Sequence, residues 1–401
     1  MDFNNNVGRI MHIDLNSCFA TIEQQANPIL RGKPIVVAAY DSPGGCILAP
    51  STEAKRFGIK TGMRIKDARL LLPNFKVLEP DPDKYRFIHL KFRKLLKKFT
   101  NEVVPKSIDE FVLNFENYEL VAGDLLGVAN EIKKRIKTEI GDYLTVSIGI
   151  APNRFLAKTA SNLKKPDGLE EINYKNFLEV YSRLSLVDLN GIDVRNKIRI
   201  NSVGIKDVVD FYKADLARLR AAFKSVNSYY WHLRLRGWEI DDFEPGRKSF
   251  GNSYALPYQT DLRPILQKLC VKTGERLRAG KYLAHGVHLS LSFKDRSYWH
   301  QGKSFKKDIF DSRDIYKEAT QILNGVGEIK PVHVLAVSVF NLVKKTSSQL
   351  DLFSDVIKME RLVKAADSTN KKWGEFVLSP ARMFETKLVK DRISFGGVRE
   401  L

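Results

Sequence analysis

Three carboxylic acids stand where the surrounding pattern predicts β-strands. Asp14 lies near the end of the apolar segment RIMHIDL (9–15), and Asp109 and Glu110 are adjacent in SIDEFVLNF (107–115). An apolar strand does not normally carry two acids, because burying an unpaired ionised carboxylate is very costly. Mg²⁺ removes that cost, since it takes carboxylate ligands and completes its shell with substrate phosphates. The three acids therefore indicate two-metal chemistry on a phosphate ester.

Spacing alone leaves other interpretations of these acids open. Asp109 and Glu110 also fit the edge of a strand, where they would pair with some of the many lysines and arginines. A nucleotide cyclase on a similar sheet would carry the same acids, so they do not identify the substrate. The chain has no GxxxxGK[ST], HExxH or GxSxG motif, which argues against a P-loop NTPase, a zinc protease and an α/β hydrolase.

Basic side chains that could bind a triphosphate lie in two other segments. Lys55 and Arg56 belong to STEAKRFG (51–58), and Lys158 belongs to a predicted helix that follows the strand TVSIGI (145–150). Helix starts and lysines both suit phosphate groups. A single lysine in so basic a chain is more often a solvated surface charge, so the pattern alone makes these residues candidates only.

The composition favours a polyanionic partner. The 401 residues include 66 Lys and Arg against 47 Asp and Glu, a net charge of +19. Such an excess favours nucleic acid, because each neutralised phosphate releases condensed counterions. Residues 244–345 hold 18 Lys and Arg against 9 Asp and Glu, so about half of the excess charge lies in a quarter of the chain.

Cysteine usage and hydropathy predict the compartment. Cys18, Cys46 and Cys270 are far apart and form no CxxC pair, which argues against a disulfide framework and a zinc site. The N-terminal segment has no apolar run long enough for a signal peptide or a membrane span. We therefore expect a soluble, cytoplasmic protein that acts as a monomer without a membrane partner.

Periodicity predicts a multidomain α+β chain. Apolar residues in 84–100 recur at spacings of four and three, as on one face of an amphipathic helix. Strands and helices alternate up to residue 168, an order that fits a ferredoxin-like core of two helices on an antiparallel sheet. Residues 170–235 are predicted to form short helices, and 236–250 a linker. Residues 251–343 return to α/β structure, with strictly alternating strands.

Four segments together resemble the Y-family DNA polymerases, the translesion enzymes of the DNA polymerase IV (DinB-like) type. HIDLNSCFATIEQ is similar to the first metal-binding motif of that family, and SIDEFVLNF is similar to the second. SIGIAPNRFLAKTASNLKKPDG resembles its third block, and RKSFGNS (247–253) resembles the start of its little-finger domain. The resemblance keeps the family's order from about residue 9 to residue 343.

The resemblance implies a right-hand polymerase with a ferredoxin-like palm, small fingers, a helical thumb and an α/β little finger. LNGIDVRNKIRINSVGI (189–205) resembles the helix-hairpin-helix of the thumb, with Asp193 where the hairpin usually has Gly. Fingers this short would enclose the nascent base pair poorly, which predicts low fidelity and tolerance of damaged templates. The predicted domains are the palm at 1–30 and 76–168, the fingers at 31–75, the thumb at 169–236, a linker at 237–250, the little finger at 251–343 and a tail at 344–401.

The resemblance also implies roles for individual residues. Asp14, Asp109 and the main-chain carbonyl of Leu15 would bind two Mg²⁺ ions, with Glu110 as a further ligand nearest the primer 3′-OH. Phe19 matches the steric gate, an aromatic ring that excludes ribonucleotides. The residues expected to contact the nucleotide are Cys18, Thr52, Lys55 and Lys158.

The chain departs from the family pattern at three positions. Asn16 stands where many members have a second Asp, and Thr52 stands where Tyr is common. Lys55 replaces the common Arg, which keeps the charge but loses bidentate geometry. These changes bear on nucleotide affinity and not on the class of reaction.

A short motif near the C-terminus predicts a protein partner. Gln349, Leu350, Asp351, Leu352 and Phe353 match the bacterial sliding-clamp pentapeptide QL[SD]LF. The motif offers a polar anchor and two apolar side chains to a groove on the partner. The predicted partners are thus primer–template DNA, dNTPs and a β-type sliding clamp.

The predicted function is low-fidelity, template-directed DNA synthesis across lesions. The alternative is a catalytically inactive DNA-binding accessory protein that the clamp recruits. The intact acid triad argues against this alternative. A nucleotide cyclase would lack the thumb hairpin, the basic C-terminal region and the clamp motif. A ribonucleotide-using primase would not need an aromatic gate at Phe19.

Overall fold

The computed structural model describes residues 2–6, 8–118, 124–241, 246–256, 261–327, 330–345 and 356–386. These residues fall into two units, which we call unit 1 (up to residue 241) and unit 2 (from residue 246 onward). Within these ranges no helix combines the length and the apolar character needed to cross a membrane.

The elements are numbered in chain order within the described residues. The strands are β1 (Ile10–Leu15), β2 (Ile35–Ala38), β3 (Ile47–Pro50), β4 (Lys76–Leu78), β5 (Val103–Pro105), β6 (Glu110–Asn114), β7 (Val146–Ala151), β8 (Leu169–Glu171), β9 (Ser249–Ala255), β10 (Tyr282–Phe293), β11 (Tyr298–Ile309) and β12 (Val332–Lys344). The helices are α1 (Cys18–Ala26), α2 (Thr52–Arg56), α3 (Ile65–Leu71), α4 (Pro82–Leu96), α5 (Leu125–Arg135), α6 (Arg154–Leu163), α7 (Phe177–Arg183), α8 (Val194–Asn201), α9 (Val208–Lys213), α10 (Leu216–Phe223), α11 (Asn227–Arg234), α12 (Leu262–Ala279), α13 (Ser312–Asn324) and α14 (Val356–Trp373).

A five-stranded sheet of order β5-β6-β1-β7-β8 forms the centre of unit 1. β1 pairs antiparallel with β6 and β7, and β8 runs parallel to β7. Met11 and Ile13 of β1 belong to a core shared with α1, α4 and α5, whereas Ile10 belongs to a second core shared with α6. Because side chains alternate along a strand, Asp14 lies on the same face as Ile10. The predicted α+β core is confirmed.

A small sheet of order β3-β2-β4 lies in the segment predicted to form the fingers. Val36, Ile47 and Ile65 are buried in its core. β4 pairs in parallel with β2, so this sheet extends past the boundary predicted at residue 75. Likewise, β8 adds to the central sheet beyond the end predicted for the palm at residue 168.

Helices α7 to α11 pack around a second core of unit 1, in the segment predicted to be helical. Asp193 ends the hairpin at the start of α8 with φ −90°, and its side chain accepts a hydrogen bond from the N–H of Asn196. The left-handed backbone position belongs to Gly191, at φ +94°. Asp193 therefore needs no positive φ and acts as the N-cap of α8.

Unit 2 contains a four-stranded antiparallel sheet of order β11-β10-β12-β9. Val287, Leu289 and Leu291 are buried against α12 and α13, which confirms the alternation expected for β10. β9 begins at Ser249, inside the predicted linker. α14 is held to α12 by a two-point ion pair, in which both Arg278–Asp367 distances are below 3 Å (2.7 and 2.8 Å).

Candidate active site

The register of the central sheet brings the predicted acids together. Asp14 and Glu110 are Cα partners across β1 and β6, and Ser147 of β7 lies opposite Asp14 on the other side. Asp109 directly precedes β6, and its carbonyl accepts a hydrogen bond of 2.9 Å from the N–H of Leu15. All three acids thus lie at one end of the sheet, although they come from segments about a hundred residues apart.

A cleft of about 650 Å³ opens at this end of the sheet. The three acids line it together with the end of β1, the start of α1, α2 and the segment after α6. The predicted metal-binding, steric-gate and nucleotide-binding residues that line the cleft are Asp14, Leu15, Cys18, Phe19, Thr52, Lys55, Asp109 and Glu110. Lys158, the remaining predicted residue of this set, does not line the cleft.

Glu110 is held as an ionised carboxylate. Lys158 Nζ lies 2.9 and 2.8 Å from its two carboxylate oxygens, and His12 Nε2 lies 3.7 Å from Oε2. Burial alone would raise its pKa, but the nearby His12 ring and the charge and hydrogen bonds of Lys158 lower the pKa of Glu110 to about 2. The structure therefore places Lys158 against this acid, where the prediction expected it on the nucleotide.

Burial raises the pKa of Asp109, and the charges of Asp14 and Glu110 raise it further. The hydroxyl of Ser107 donates a hydrogen bond to Asp109 Oδ1, which acts in the opposite direction. Like charges in a buried place disfavour ionisation of one of them. A cation in the cleft would remove this penalty.

Lys165 belongs to the site but was not predicted. Its Nζ lies 2.8 Å from Asp14 Oδ2, and the residue lines the cleft with Lys55. Burial lowers the pKa of Lys55 and the charge of Lys165 lowers it further, while Asp14 and Asp109 oppose this shift. The signal in the sequence was KKPDG directly after α6, but the sequence does not show which of its lysines turns inward.

Asn16, the departure from the family pattern, positions the segment that carries Lys165. Its side-chain oxygen accepts a hydrogen bond of 2.8 Å from the N–H of Asp167, and its amide donates one of 2.9 Å to Ser147 Oγ. Asn16 is only 4% exposed. It thus ties the segment after α6 to β7, a role that its amide performs with both a donor and an acceptor.

Phe19 lies on the first turn of α1, and its ring stacks on that of Tyr85 with centroids 4.3 Å apart. Tyr85 comes from α4 and is fully buried. Cys18, beside Phe19, is also buried, and burial together with Asp109 and Asp14 raises the pKa of its thiol. Cys18 is therefore a neutral wall of the cleft and not a nucleophile.

The donor set fits a divalent cation that prefers oxygen. Asp14, Asp109 and Glu110 supply only carboxylate oxygens, the ligand type of Mg²⁺. Among the described residues no three Asp, Glu, His or Cys side chains are already arranged as a metal cage. Instead, Lys165 and Lys158 supply the positive charge for Asp14 and Glu110.

The predicted clamp motif, Gln349 to Phe353, lies outside the described residues.

Two family models match the chain. The model of the impB/mucB/samB family matches residues 13–162, and that of the impB/mucB/samB family C-terminal domain matches residues 247–352. A DNA polymerase IV from Pelotomaculum thermopropionicum is 30% identical over 376 residues, covering 91% of this chain and 93% of that protein. A DNA polymerase IV from Clostridium acetobutylicum is 32% identical over 392 residues, covering 94% and 98%.

Solved structures share the architecture. A Y-family DNA polymerase chimera of Dbh and Dpo4 matches with a TM-score of 0.74 at 25% identity, covering 84% of this chain and 99% of that one. An insertion ternary complex of Dbh DNA polymerase matches with a TM-score of 0.59 at 24% identity and the same coverage. At 24% identity, the match to the Dbh ternary complex shows a shared fold alone.

Proposed function

Because the chain belongs to the impB/mucB/samB family of Y-family DNA polymerases and is a translesion DNA polymerase, we propose that the cleft of unit 1 is its active site. The observation that carries this proposal is the juxtaposition of Asp14, Asp109 and Glu110 beside two lysines in one cleft. The predicted roles follow from it: the acids bind metal, and Glu110 lies nearest the primer 3′-OH.

The residues that line the cleft have different roles in nucleotide addition. Lys55 and Lys165 hold the triphosphate of the dNTP, as charge-assisted donors to its oxygens. Phe19, fixed by Tyr85, stands against C2′ of the sugar and excludes a 2′-hydroxyl. Thr52 and Cys18 complete the nucleotide pocket. Lys158 and His12 keep Glu110 ionised, so that it is ready to ligate a cation.

Enzymes of this family generally depend on divalent metal ions. We propose that the metal is Mg²⁺, that two ions bind per active site, and that Asp14, Asp109, Glu110 and the carbonyl of Leu15 hold them. When bound, the ions lower the pKa of the primer hydroxyl and neutralise the leaving pyrophosphate. The acids contribute by facing one cleft: Asp14 and Glu110 are held opposite each other by the pairing of β1 with β6, and Asp109 directly precedes β6.

The metal assignment can be tested by counting ions. Mn²⁺ replaces Mg²⁺ on oxygen ligands and is detected by electron paramagnetic resonance. The intact protein with primer–template and a non-hydrolysable dNTP analogue should bind two Mn²⁺, and the Asp14→Asn variant should lose at least one. A stoichiometry of one in the wild type, or two in the variant, would contradict the assignment.

The fold is that of a right-hand polymerase with palm, fingers, thumb and little finger. We propose that the five-stranded sheet is the palm, the small sheet the fingers, helices α7 to α11 the thumb, and the sheet of unit 2 with α12 and α13 the little finger. The hairpin before α8 would then hold the DNA backbone through main-chain N–H groups, with Asp193 capping the helix behind it.

We also propose that residues 349–353 bind a β-type sliding clamp, which would keep a weakly processive enzyme at the primer terminus. The motif begins five residues after the end of β12, outside the strands of unit 2. Because the substrate is DNA, we further propose that the protein works in the cytoplasm. An inactive accessory role is not favoured by any observation on this chain.

A further inference from the structure

The segment that carries Lys165 into the cleft continues through Asp167 and Gly168 to the start of β8. Asp167 has φ +58°, in the left-handed region that residues with a side chain rarely adopt. Such a backbone persists where the surrounding structure holds it. The position of Lys165 therefore depends on the contacts that fix Asp167, two residues further along the chain.

Lys133 of α5 holds this turn from outside the cleft. Its Nζ donates a hydrogen bond of 2.5 Å to the main-chain carbonyl of Asp167 and one of 3.4 Å to that of Gly168. The same ammonium lies 3.0 Å from Asp167 Oδ1, and the side chain of Lys133 is only 15% exposed. Lys165 and Pro166 line the cleft, whereas Lys133 and Asp167 do not.

The N–H groups of the turn are held from the side of the central sheet. The N–H of Asp167 donates a hydrogen bond of 2.8 Å to Asn16 Oδ1, and the N–H of Gly168 donates one of 3.4 Å to Ser147 Oγ. Lys133 instead holds the two carbonyls. The turn is thus fixed through both kinds of main-chain group, by side chains from different elements.

A surface ion pair alone would not explain the contacts of Lys133. Lys137, further along the same helical segment, provides such a pair, since its Nζ lies 3.3 Å from Asp167 Oδ2 and its side chain is 45% exposed. Exposed pairs of this kind contribute little to stability. Lys133 is more buried, and its three N–H donors face one carboxylate oxygen and two main-chain oxygens of the turn. It therefore fixes the path of the backbone as well as balancing a charge.

We propose that Lys133 is a positioning residue for nucleotide binding, which holds the turn at Asp167 so that Lys165 presents its ammonium to the triphosphate. This inference rests on the proposed function, in which Lys165 contacts the phosphates of the dNTP. Because Lys133 does not line the cleft, it should influence phosphate affinity through Lys165 alone.

The test is the binding of inorganic tripolyphosphate, measured by isothermal titration calorimetry on the full chain with primer–template at constant free Mg²⁺. This probe has the phosphates of a dNTP without the sugar or the base, so its Kd reports on the side chains that contact phosphate. Lys133→Met keeps the aliphatic stem, removes the ammonium and should raise the Kd by roughly three- to thirtyfold. Lys165→Ala should raise it at least as much, and the double variant should bind no more weakly than Lys165→Ala.

Lys134→Met is the matched control, because Lys134 is the exposed neighbour on α5 and its replacement changes the net charge equally. It should keep the wild-type Kd. Asp167→Asn tests the same contact without a change in α5, since Asn also tolerates the left-handed backbone but lacks the charge that holds Lys133. It should raise the Kd by about two- to fivefold. In single-nucleotide insertion, Lys133→Met should raise the KM for dNTP and leave kcat unchanged.

An unchanged Kd in either Lys133→Met or Asp167→Asn, beside a raised Kd in Lys165→Ala, would overturn this proposal alone. Effects that multiply in the double variant would also overturn it, because Lys133 would then act independently of Lys165. An unchanged Kd in Lys165→Ala would overturn the triphosphate role of Lys165 and this proposal with it. Absent primer extension by the wild type, beside the expected Kd differences, would contradict the proposed function and support the positioning role.

Discussion

The hydroxyl of Tyr85 donates a hydrogen bond of 2.9 Å to Glu23 Oε1, which anchors the ring on which Phe19 stacks. The other oxygen of Glu23 accepts from Lys84 Nζ at 2.7 Å. Glu23 lies on α1 and Tyr85 on α4, so the two helices are joined behind the cleft. Because both rings are buried, Phe19 has little freedom to move aside for a larger sugar.

Replacing Phe19 by Ala should admit ribonucleotides, because it removes the ring expected at C2′. Discrimination between dNTP and rNTP should fall by at least about 10- to 200-fold in kcat/KM, the range that a single methylene contributes in a pocket. Single-nucleotide insertion with matched dNTP and rNTP measures it. Phe19→Tyr keeps the ring and should keep discrimination. Unchanged discrimination in Phe19→Ala would remove the gate assignment.

Replacing Lys165 by Ala should weaken nucleotide binding. The lost charge-assisted contact is worth about 1.5–3 kcal/mol, which corresponds to a roughly 10- to 100-fold rise in KM for dNTP. Steady-state insertion kinetics measure this rise. Lys164→Ala is the control, since its side chain is 76% exposed and pairs with Glu170. Equal KM values for the two variants would show that Lys165 does not contact the triphosphate.

Replacing residues 349–353 by a Gly/Ser segment of equal length should abolish stimulation by a β-type clamp. Distributive synthesis without clamp should remain, because the motif lies outside unit 1. Primer extension with and without clamp separates the two effects. A variant that the clamp stimulates as strongly as the wild type would show that the motif plays no part in recruitment.

The raised pKa of Glu275 predicts how the free energy of unfolding depends on pH. Burial raises its pKa to about 7, and Asp367 and Glu375 raise it further while Arg278 and Lys272 oppose them. The folded state thus holds a proton that the unfolded state loses near the ordinary value of 4.5. The contribution of Glu275 to the free energy of unfolding is therefore fully present below pH 4.5, and it is lost as the pH rises through about 7.

The Glu275→Gln variant should weaken this dependence and unfold at a higher temperature than the wild type at about pH 8. Thermal unfolding followed by circular dichroism over a range of pH measures it. Asp314→Asn, which removes a surface acid of the same unit, should keep the wild-type slope. A slope shared by wild type and Glu275→Gln would assign the dependence to other groups.

The sequence was enough to predict the position of the acids but not the partners of the lysines. Asp14 and Glu110 could be placed because strand alternation and apolar neighbours mark where a sheet carries them. Lys158 was expected on the nucleotide and Lys165 was not predicted, because the directions of both side chains depend on how α6 and the segment after it fold back over β1 and β7. The Asn16–Asp167 hydrogen bond that fixes this segment joins residues far apart in the chain.

Two sheets extend past predicted domain limits. β4 and β8 each add a strand to a sheet from beyond a predicted boundary. Both are short parallel edge strands of three residues, and so short a segment carries little periodicity. The role of Tyr85 was also missed, because on the sequence it is one more apolar position of the amphipathic helix.

The central claim is that Asp14, Asp109 and Glu110 form the metal site of a DNA polymerase. Primer extension on an undamaged template with Mg²⁺ and dNTPs tests it directly, beside the Asp109→Ala/Glu110→Ala double variant. Asp83→Ala, whose side chain is 92% exposed, is the control. Extension by the wild type and the control, with the double variant below about 1% of that rate, is the predicted result. A folded double variant that extends primers at the wild-type rate would contradict the account.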